Sequence, residues 1–233
     1  MPTHATMIGE ETFTEEKWTR LRMAAVAKQL VERGITDERV LSAMREVPRH
    51  LFLQSTTAAA LAYADRPLPI GWNQTISQPF VIAYAAQQLR LTGNEVLLEI
   101  GTGSGYQAAV LSRLVKEVFS IEIIPELAAF ARDNLKRLNI KNVEVREGDG
   151  YNGWLENAPY ERIILAAAPT KVPEELFREL AAPGVMIAPV GDTAKQRFTR
   201  WEKIPAPGKP ARLSKEELIS VVFVPMTGKG ATL

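Results

Sequence analysis

The chain of 233 residues has no cysteine, which removes a disulfide scaffold and a cysteine nucleophile from consideration and is consistent with a reducing compartment. Histidine is nearly as scarce. His4 lies in the leading segment and His50 in a helical turn, both outside every motif described below, and neither is assigned a catalytic role. An excess of one charge is also missing: 28 Lys and Arg against 27 Asp and Glu leave a formal net charge of +1, which gives no electrostatic footprint for nucleic acid. Lys195, Arg197, Arg200 and Lys203 gather on one late stretch and read as a solvated strand face. No apolar run is long enough to span a bilayer, and the opening Met-Pro-Thr-His lacks a charged region followed by an apolar core. No membrane partner and no metal site are therefore expected, and the cytoplasm is the expected compartment. Internal repeats and low-complexity tracts are absent, and the closing stretch from Thr227 reads as a flexible tail.

What is present is 46% hydrophobic residues, enough for one substantial core. The most informative run is Glu95-Val-Leu-Leu-Glu99-Ile-Gly101-Thr102-Gly103-Ser104-Gly105-Tyr-Gln: a buried strand that breaks into a glycine-rich turn and then opens a helix. Alternate glycines let the backbone take positive φ and leave no Cβ between the main chain and a ligand. The pyrophosphate-binding pattern G-x-G-x-x-G needs its third glycine one place later than it stands here. Glu99, two places before the first glycine, also sits awkwardly beside a diphosphate but suits a ligand carrying a positive charge and an amine. S-adenosylmethionine has a cationic sulfonium, an amino group and no phosphate.

The flanking chain follows the order of a doubly wound sheet. Val118-Phe-Ser-Ile121 reads as a second strand ending at Glu122, where an acid can accept both ribose hydroxyls. Pro125 suits the first turn of a helix continued by Leu127, Phe130, Ala131, Leu135 and Leu138. A third strand, Val143-Glu-Val145, leads into Gly148-Asp149-Gly150, whose carboxylate can accept from an adenine amino group while its glycines let the ring approach. A fourth strand at 162–166, a helix at 173–180 and a fifth strand at 184–190 complete a mostly parallel α/β sheet with ligands at the carboxyl ends of its strands. Two further strands near 196–204 and 218–224, joined by a Pro/Gly/Lys-rich loop, should be antiparallel. Thr14 with its following acids, Gly34 and Asp37 mark the ends of N-terminal helices, and an alanine-rich third helix is expected over 55–63. The chain is thus expected to be one domain: a helical extension over residues 1–65, a cofactor-binding α/β core over 66–190, and antiparallel strands and a tail over 191–233.

Several blocks together resemble the protein-L-isoaspartate O-methyltransferases, class I enzymes of Rossmann-like fold. These are Pro67-Leu-Pro-Ile-Gly71 with Gln74-Thr75-Ile76-Ser77-Gln-Pro79, the glycine loop from Leu97 to Gln107, Gly148-Asp-Gly150, Ala167-Ala168-Pro169 and Phe223-Val-Pro225. Thr-Ile-Ser-x-Pro just before a methyltransferase glycine loop is the discriminating block. The resemblance implies methyl transfer from S-adenosylmethionine, with S-adenosylhomocysteine as product, to the free carboxylate of isoaspartyl residues in damaged proteins and peptides. It implies Glu99, Gly101, Thr102, Gly103, Ser104, Gly105, Glu122, Asp149 and Gly150 as cofactor-binding residues and Ser77 as the active-site hydroxyl. Gln74, Thr75, Ile76 and Ala168 are expected on the substrate side. Ser77 would also be a favoured N-cap for an apolar-periodic helix over 80–89, whose free amides would attract an anionic carboxylate. A carboxylate is ionised at neutral pH, so the absence of a catalytic histidine or cysteine is consistent with this chemistry. Trp72 is either a groove wall or a local packing anchor. The rival readings are a class I enzyme with another acceptor, such as a small carboxylic acid, and a binder that kept the fold without the activity. Against base methylation, Ala-Ala-Ala-Pro stands where an Asn/Asp-Pro-Pro-aromatic motif would follow the fourth strand.

Overall fold

The computed structural model describes residues 7–8, 11–54, 59–192 and 194–229. A short pair, β1 (Met7–Ile8) and β2 (Glu11–Thr12), precedes α1 (Glu15–Ala25), which Thr14 caps through its hydroxyl. A π turn and a 3-10 turn continue α1 to Gly34, whose φ of 89° ends it as the sequence predicts. Asp37 caps α2 (Glu38–Glu46) by accepting from the amides of Arg39 and Val40. Of the third helix expected over 55–63, the described residues form one 3-10 turn, Ala59–Leu61, and residues 55–58 lie outside the described residues.

A hairpin of β3 (Leu68–Gly71) and β4 (Gln74–Ile76) leads into α3 (Pro79–Gln88). The α/β core then runs β5 (Val96–Ile100), α4 (Tyr106–Leu111), β6 (Glu117–Glu122), α5 (Pro125–Arg137), β7 (Val143–Glu147), β8 (Tyr160–Leu165), α6 (Glu174–Glu179) and β9 (Leu180–Gly191). β10 (Gln196–Ala206) and β11 (Lys209–Val221) finish a seven-stranded sheet ordered β11-β10-β9-β8-β5-β6-β7. β7, β6, β5, β8 and β9 pair in parallel, and β10 and β11 add antiparallel strands at one edge, as expected. The expected long loop between the last two strands is instead the tight turn Pro207-Gly208. Its Pro- and Lys-rich flanks are absorbed into strand pairing as far as Ala206 and Lys209, and β11 ends at Val221.

Strand alternation divides the core into two layers. Leu97, Val118, Ile164 and Ile187 face a layer packed under α2, α3 and α4, whereas Leu98, Phe119, Ile163 and Met186 face a second layer with Trp154, Leu176 and Trp201. The first layer runs from Val26 and Leu30 through to Phe198 and Val221, so N-terminal helix residues and C-terminal strand residues share one apolar cluster with the core. Period two also puts Glu99 and Ser120 on the α4 side, where they are register partners on β5 and β6.

The expected solvated basic face holds at Lys195, which is exposed, and partly at Arg197, but not at Arg200 and Lys203. Arg200 is 7% exposed and pairs with Glu216 at 2.5 Å and Glu202 at 3.2 Å, while its guanidinium also donates to Gln88 of α3. Lys203 donates to the carbonyls of Phe177 and Leu180, and Arg197 pairs with Glu217. Arg200 and Lys203 fasten the added strands to the core, and Arg197 joins β10 to β11. Among the described residues no helix is long and apolar enough to cross a membrane.

Candidate active site

The glycine loop between β5 and α4 sets the site. Gly101, Gly103 and Gly105 have φ of 94°, 56° and 85°, conformations that an L side chain rarely adopts. A Cβ on Gly105 would also press on Ala131 of α5 at 3.3 Å. The loop is fixed by its neighbours: the Gly101 amide donates to the Ile121 carbonyl at 2.8 Å, and Asn134 of α5 donates to the Ser104 carbonyl at 2.9 Å. Above it lies a cleft with walls from three directions. Gln74, Thr75, Ile76 and Ser77 form one, the loop with Tyr106, Gln107 and Glu122 another, and Gly150, Ala166, Ala167 and residues 224–227 the third.

Glu122, at the end of β6, is 5% exposed and lines this cleft. Its two oxygens accept from backbone amides, one from Gly103 at 2.8 Å and the other from Ile124 at 3.0 Å. Each oxygen keeps a further lone pair for a ligand hydroxyl. Among the described residues lining the cleft, Glu122 is the one charged side chain, and no Lys or Arg contributes. A diphosphate would meet an acid with no compensating cation, whereas a cationic nucleoside suits it.

Three expected cofactor residues, Glu99, Asp149 and Gly105, and the substrate-side Ala168 are not part of the cleft wall. Glu99 is inside β5, 0% exposed, and absent from the cleft wall. Its carboxyl accepts from Ser120 at 2.5 Å and from Gln107 at 3.0 Å, and Ser120 shares a hydrogen bond of 2.6 Å with Thr102. Burial pushes its pKa up to about 7, against the pull of the Ser120 and Gln107 hydrogen bonds and with a further push from Glu122. Glu99 therefore supports the loop from beneath through Ser120, Thr102 and Gln107. Asp149 is not part of the cleft wall either; one of its oxygens accepts from the Tyr151 amide at 2.9 Å and the other from the Lys229 amide at 2.7 Å, beside the wall residue Gly150. Gly150 beside it does line the cleft, and a Cβ there would lie 2.3 Å from Ile100. Gly105 acts as the αL N-cap of α4 behind the cleft wall. Ala168 is also set back: it forms a parallel bridge with Pro225, exchanging backbone hydrogen bonds with Val224 and Met226.

Ser77 lines the cleft, but it is not the cap of α3. The N-cap is Gln78, with no side-chain cap of its own, and the Phe80 amide donates instead to Asp65 at 3.1 Å. Asp65 also accepts from Gln78 and pairs with Arg33. The first turn of α3 thus already faces a carboxylate, and its amides are not free for a substrate anion. The Ser77 hydroxyl, by contrast, is not spent on the helix.

Behind Ser77 an open groove adjoins the cleft. It runs past Pro67, Gln78, Val81, residues 194–196 and residues 220–224, and shares Thr75, Ser77, Ala166 and Val224 with the cleft. Trp72 lines neither: it is 43% exposed at the tip of the β3–β4 hairpin, where it and Asn73 have φ of 49° and 55°. His50 is also remote, stacked on Trp18 with ring centroids 4.2 Å apart and bonded through Nδ1 to the Tyr63 hydroxyl. His4 and residues 230–233 lie outside the described residues, but Thr227, assigned above to the tail, lines the cleft.

Sequence reasoning gave no role to Ser120, Asn134, Gln107 or the 224–227 wall. For Ser120 and Asn134 a signal existed, a polar residue on the buried face of an otherwise apolar strand or helix.

Strand order, glycine loop and an acid-bearing cleft without a base define an α/β protein of the class I methyltransferase type. The family model described as Protein-L-isoaspartate(D-aspartate) O-methyltransferase matches residues 21–231. A protein-L-isoaspartate O-methyltransferase of Picosynechococcus sp. is 44% identical over 216 residues, covering 93% of this chain and 94% of that protein. Another from Gloeobacter violaceus is 46% identical over 203 residues, covering 87% and 96%. Among solved structures, a protein-L-isoaspartate O-methyltransferase superposes with a TM-score of 0.81 at 28% identity over 90% of this chain and 67% of that one. A Plasmodium falciparum protein solved in complex with S-adenosyl-L-homocysteine shares the fold, with a TM-score of 0.75 at 23% identity, covering 88% of this chain and 98% of that one. The chain belongs to the protein-L-isoaspartate(D-aspartate) O-methyltransferase family.

Proposed function

We propose that the protein transfers a methyl group from S-adenosylmethionine to the free carboxylate of L-isoaspartyl residues in damaged proteins and peptides, beginning their repair. The observation that carries this reading is the junction at Ser77, where a cleft containing one acid and no base adjoins an open groove on the surface. The cleft residues fit the cofactor. Glu122 holds the ribose hydroxyls, the Gly101 to Ser104 backbone allows close approach, and Gly150 leaves room for the adenine ring. Glu99 holds the loop from beneath, and Asp149 ties the C-terminal wall at Lys229 to the turn at Gly150.

When bound, S-adenosylmethionine supplies a methyl carbon activated by the adjacent sulfonium. The chain's own residues orient the acceptor. The Ser77 hydroxyl donates to one carboxylate oxygen and leaves the other for attack, and Thr75 and Gln74 border the approach. Because the acceptor enters already ionised, no side chain has to remove a proton. The acceptor oxygen loses its charge as the new bond forms, so a site that excludes water favours the step. Ile76, Ile82, Ile100, Ile121 and Leu127 give the cleft an apolar share of its wall. Alignment in such a site can supply roughly 7–11 kcal/mol of the barrier. The test is methyl incorporation into an isoaspartyl peptide and its aspartyl twin. Base-labile label in the first alone is expected, and equal labelling of both would refute the repair assignment.

A further inference from the structure

We infer that Arg49 is a positioning residue for this reaction, a buried strut that fixes Ser77 relative to the cofactor loop; the inference rests on the reading of Ser77 as the orienting hydroxyl. Pro48 ends α2, and the 3-10 turn Arg49–Phe52 that follows turns the Arg49 side chain inward until it is 0% exposed. Its guanidinium donates to three carbonyls: Ala62 at 2.6 Å, Arg66 at 3.1 Å and Ser77 at 3.2 Å. No carboxylate among the described residues touches it. Asp65, the nearest acid to influence it, is engaged by Gln78, the Phe80 amide and Arg33.

A buried cation without an ion pair is an expensive arrangement for simple packing: three carbonyls, the Tyr106 ring and the more distant charge of Asp65 offset its desolvation, and its Nε is left without a hydrogen-bond partner. What it accomplishes is mechanical. The carbonyls belong to two separate stretches, the turn at 62–66 and the Ser77 loop before α3, and a rigid planar fork can span both at once where a flexible ammonium cannot hold the same geometry. On its other side the guanidinium carbon lies 5.9 Å from the ring centroid of Tyr106. Tyr106 is the first residue of α4, directly after the glycine loop, and itself lines the cleft. The chain Tyr106, Arg49, Ser77 therefore links the cofactor side of the site to the acceptor side. Glu122 and Asn134, which hold the loop itself, are independent of it.

The test is a double-mutant cycle of Arg49→Lys and Ser77→Ala, read as kcat with an isoaspartyl peptide and as the Kd of S-adenosylhomocysteine by calorimetry. Arg49→Lys keeps the charge, so its effect reads geometry. It is expected to lower kcat at least tenfold, to leave the Kd within threefold, and to add less than a further threefold loss when Ser77 is already alanine. Arg49→Gln, carried in parallel, should show the same pattern and keeps the test readable if one variant fails to fold. A kcat within threefold of the parent in Arg49→Lys would overturn the inference, as would the same loss repeated in the Ser77→Ala background or a Kd that weakens in step with kcat. Full kcat in Ser77→Ala alone would instead remove the orienting role of Ser77, and this inference with it.

Discussion

Replacing Glu99 by glutamine should make the protein's stability less dependent on pH. The Glu99 carboxyl is fully enclosed, and burial raises its pKa from 4.5 to about 7. In the unfolded chain the same group returns to its ordinary value, so between about pH 4.5 and 7 the folded state binds a proton that the unfolded state has lost. Stability from this group is complete below pH 4.5 and is lost as pH rises through 7. At about 1.4 kcal/mol for each tenfold in proton affinity, the loss between pH 5 and pH 8 is about 2–3 kcal/mol. Glutamine copies the neutral acid: its carbonyl can accept from Gln107 and its amide can donate to the Ser120 oxygen. Urea unfolding of both proteins at pH 5, 6, 7 and 8 provides the assay. The parent should lose about 2–3 kcal/mol relative to Glu99→Gln across that range, with the variant the more stable of the two at pH 8. Parallel stability curves would mean that Glu99 is not held near neutrality and that the account of its burial is wrong.

Other perturbations read other parts of the structure. Glu122→Gln removes the charge from the cleft while conserving shape, and should weaken S-adenosylhomocysteine binding roughly ten- to a hundredfold by calorimetry, the size of a lost charge-assisted hydrogen bond; an unchanged Kd would place the ribose elsewhere. Gly150→Ala puts a Cβ 2.3 Å from Ile100 and 3.3 Å from Met226, so it should lower stability by about 1–3 kcal/mol and impair binding of the same ligand, and a neutral result would deny the close approach. His50 is pushed down to about 4, first by burial and then by the charges of Arg22 and Arg137. Because its folded pKa is depressed, the stability it contributes is present above pH 6.5 and lost as pH falls toward 4. An NMR titration should find its midpoint near 4, and a midpoint near 6.5 would contradict the packed Trp18–His50–Tyr63 cluster.

The fold was legible wherever local chemistry and long-range packing agree. Apolar strands, glycines that only positive φ explains, and Asp37 and Gly34 at helix ends all report on their own neighbourhood. The position of the cleft was legible from the glycine loop and from Glu122, which stands where a strand ends and lines it. It was misread where a residue's role depends on a partner far along the chain. Glu99 looks like a rim acid until Ser120 appears beside it in register and Gln107 above it. Ser77 looks like a helix cap because Asp65, which caps from another loop, cannot be inferred from spacing. Asp149 also meets an amide 80 residues away at Lys229, a partner that no local spacing supplies. Arg49 carries no motif at all, because its three carbonyl partners are backbone atoms that any sequence would provide.

The most direct measurement is a crystal structure with S-adenosylhomocysteine and an isoaspartyl peptide bound together. The ribose should rest on the Glu122 carboxylate and the peptide carboxylate on the Ser77 hydroxyl, with Glu99 still enclosed by Ser120 and Gln107. A nucleoside bound away from Glu122, or a peptide carboxylate far from Ser77, would contradict the account.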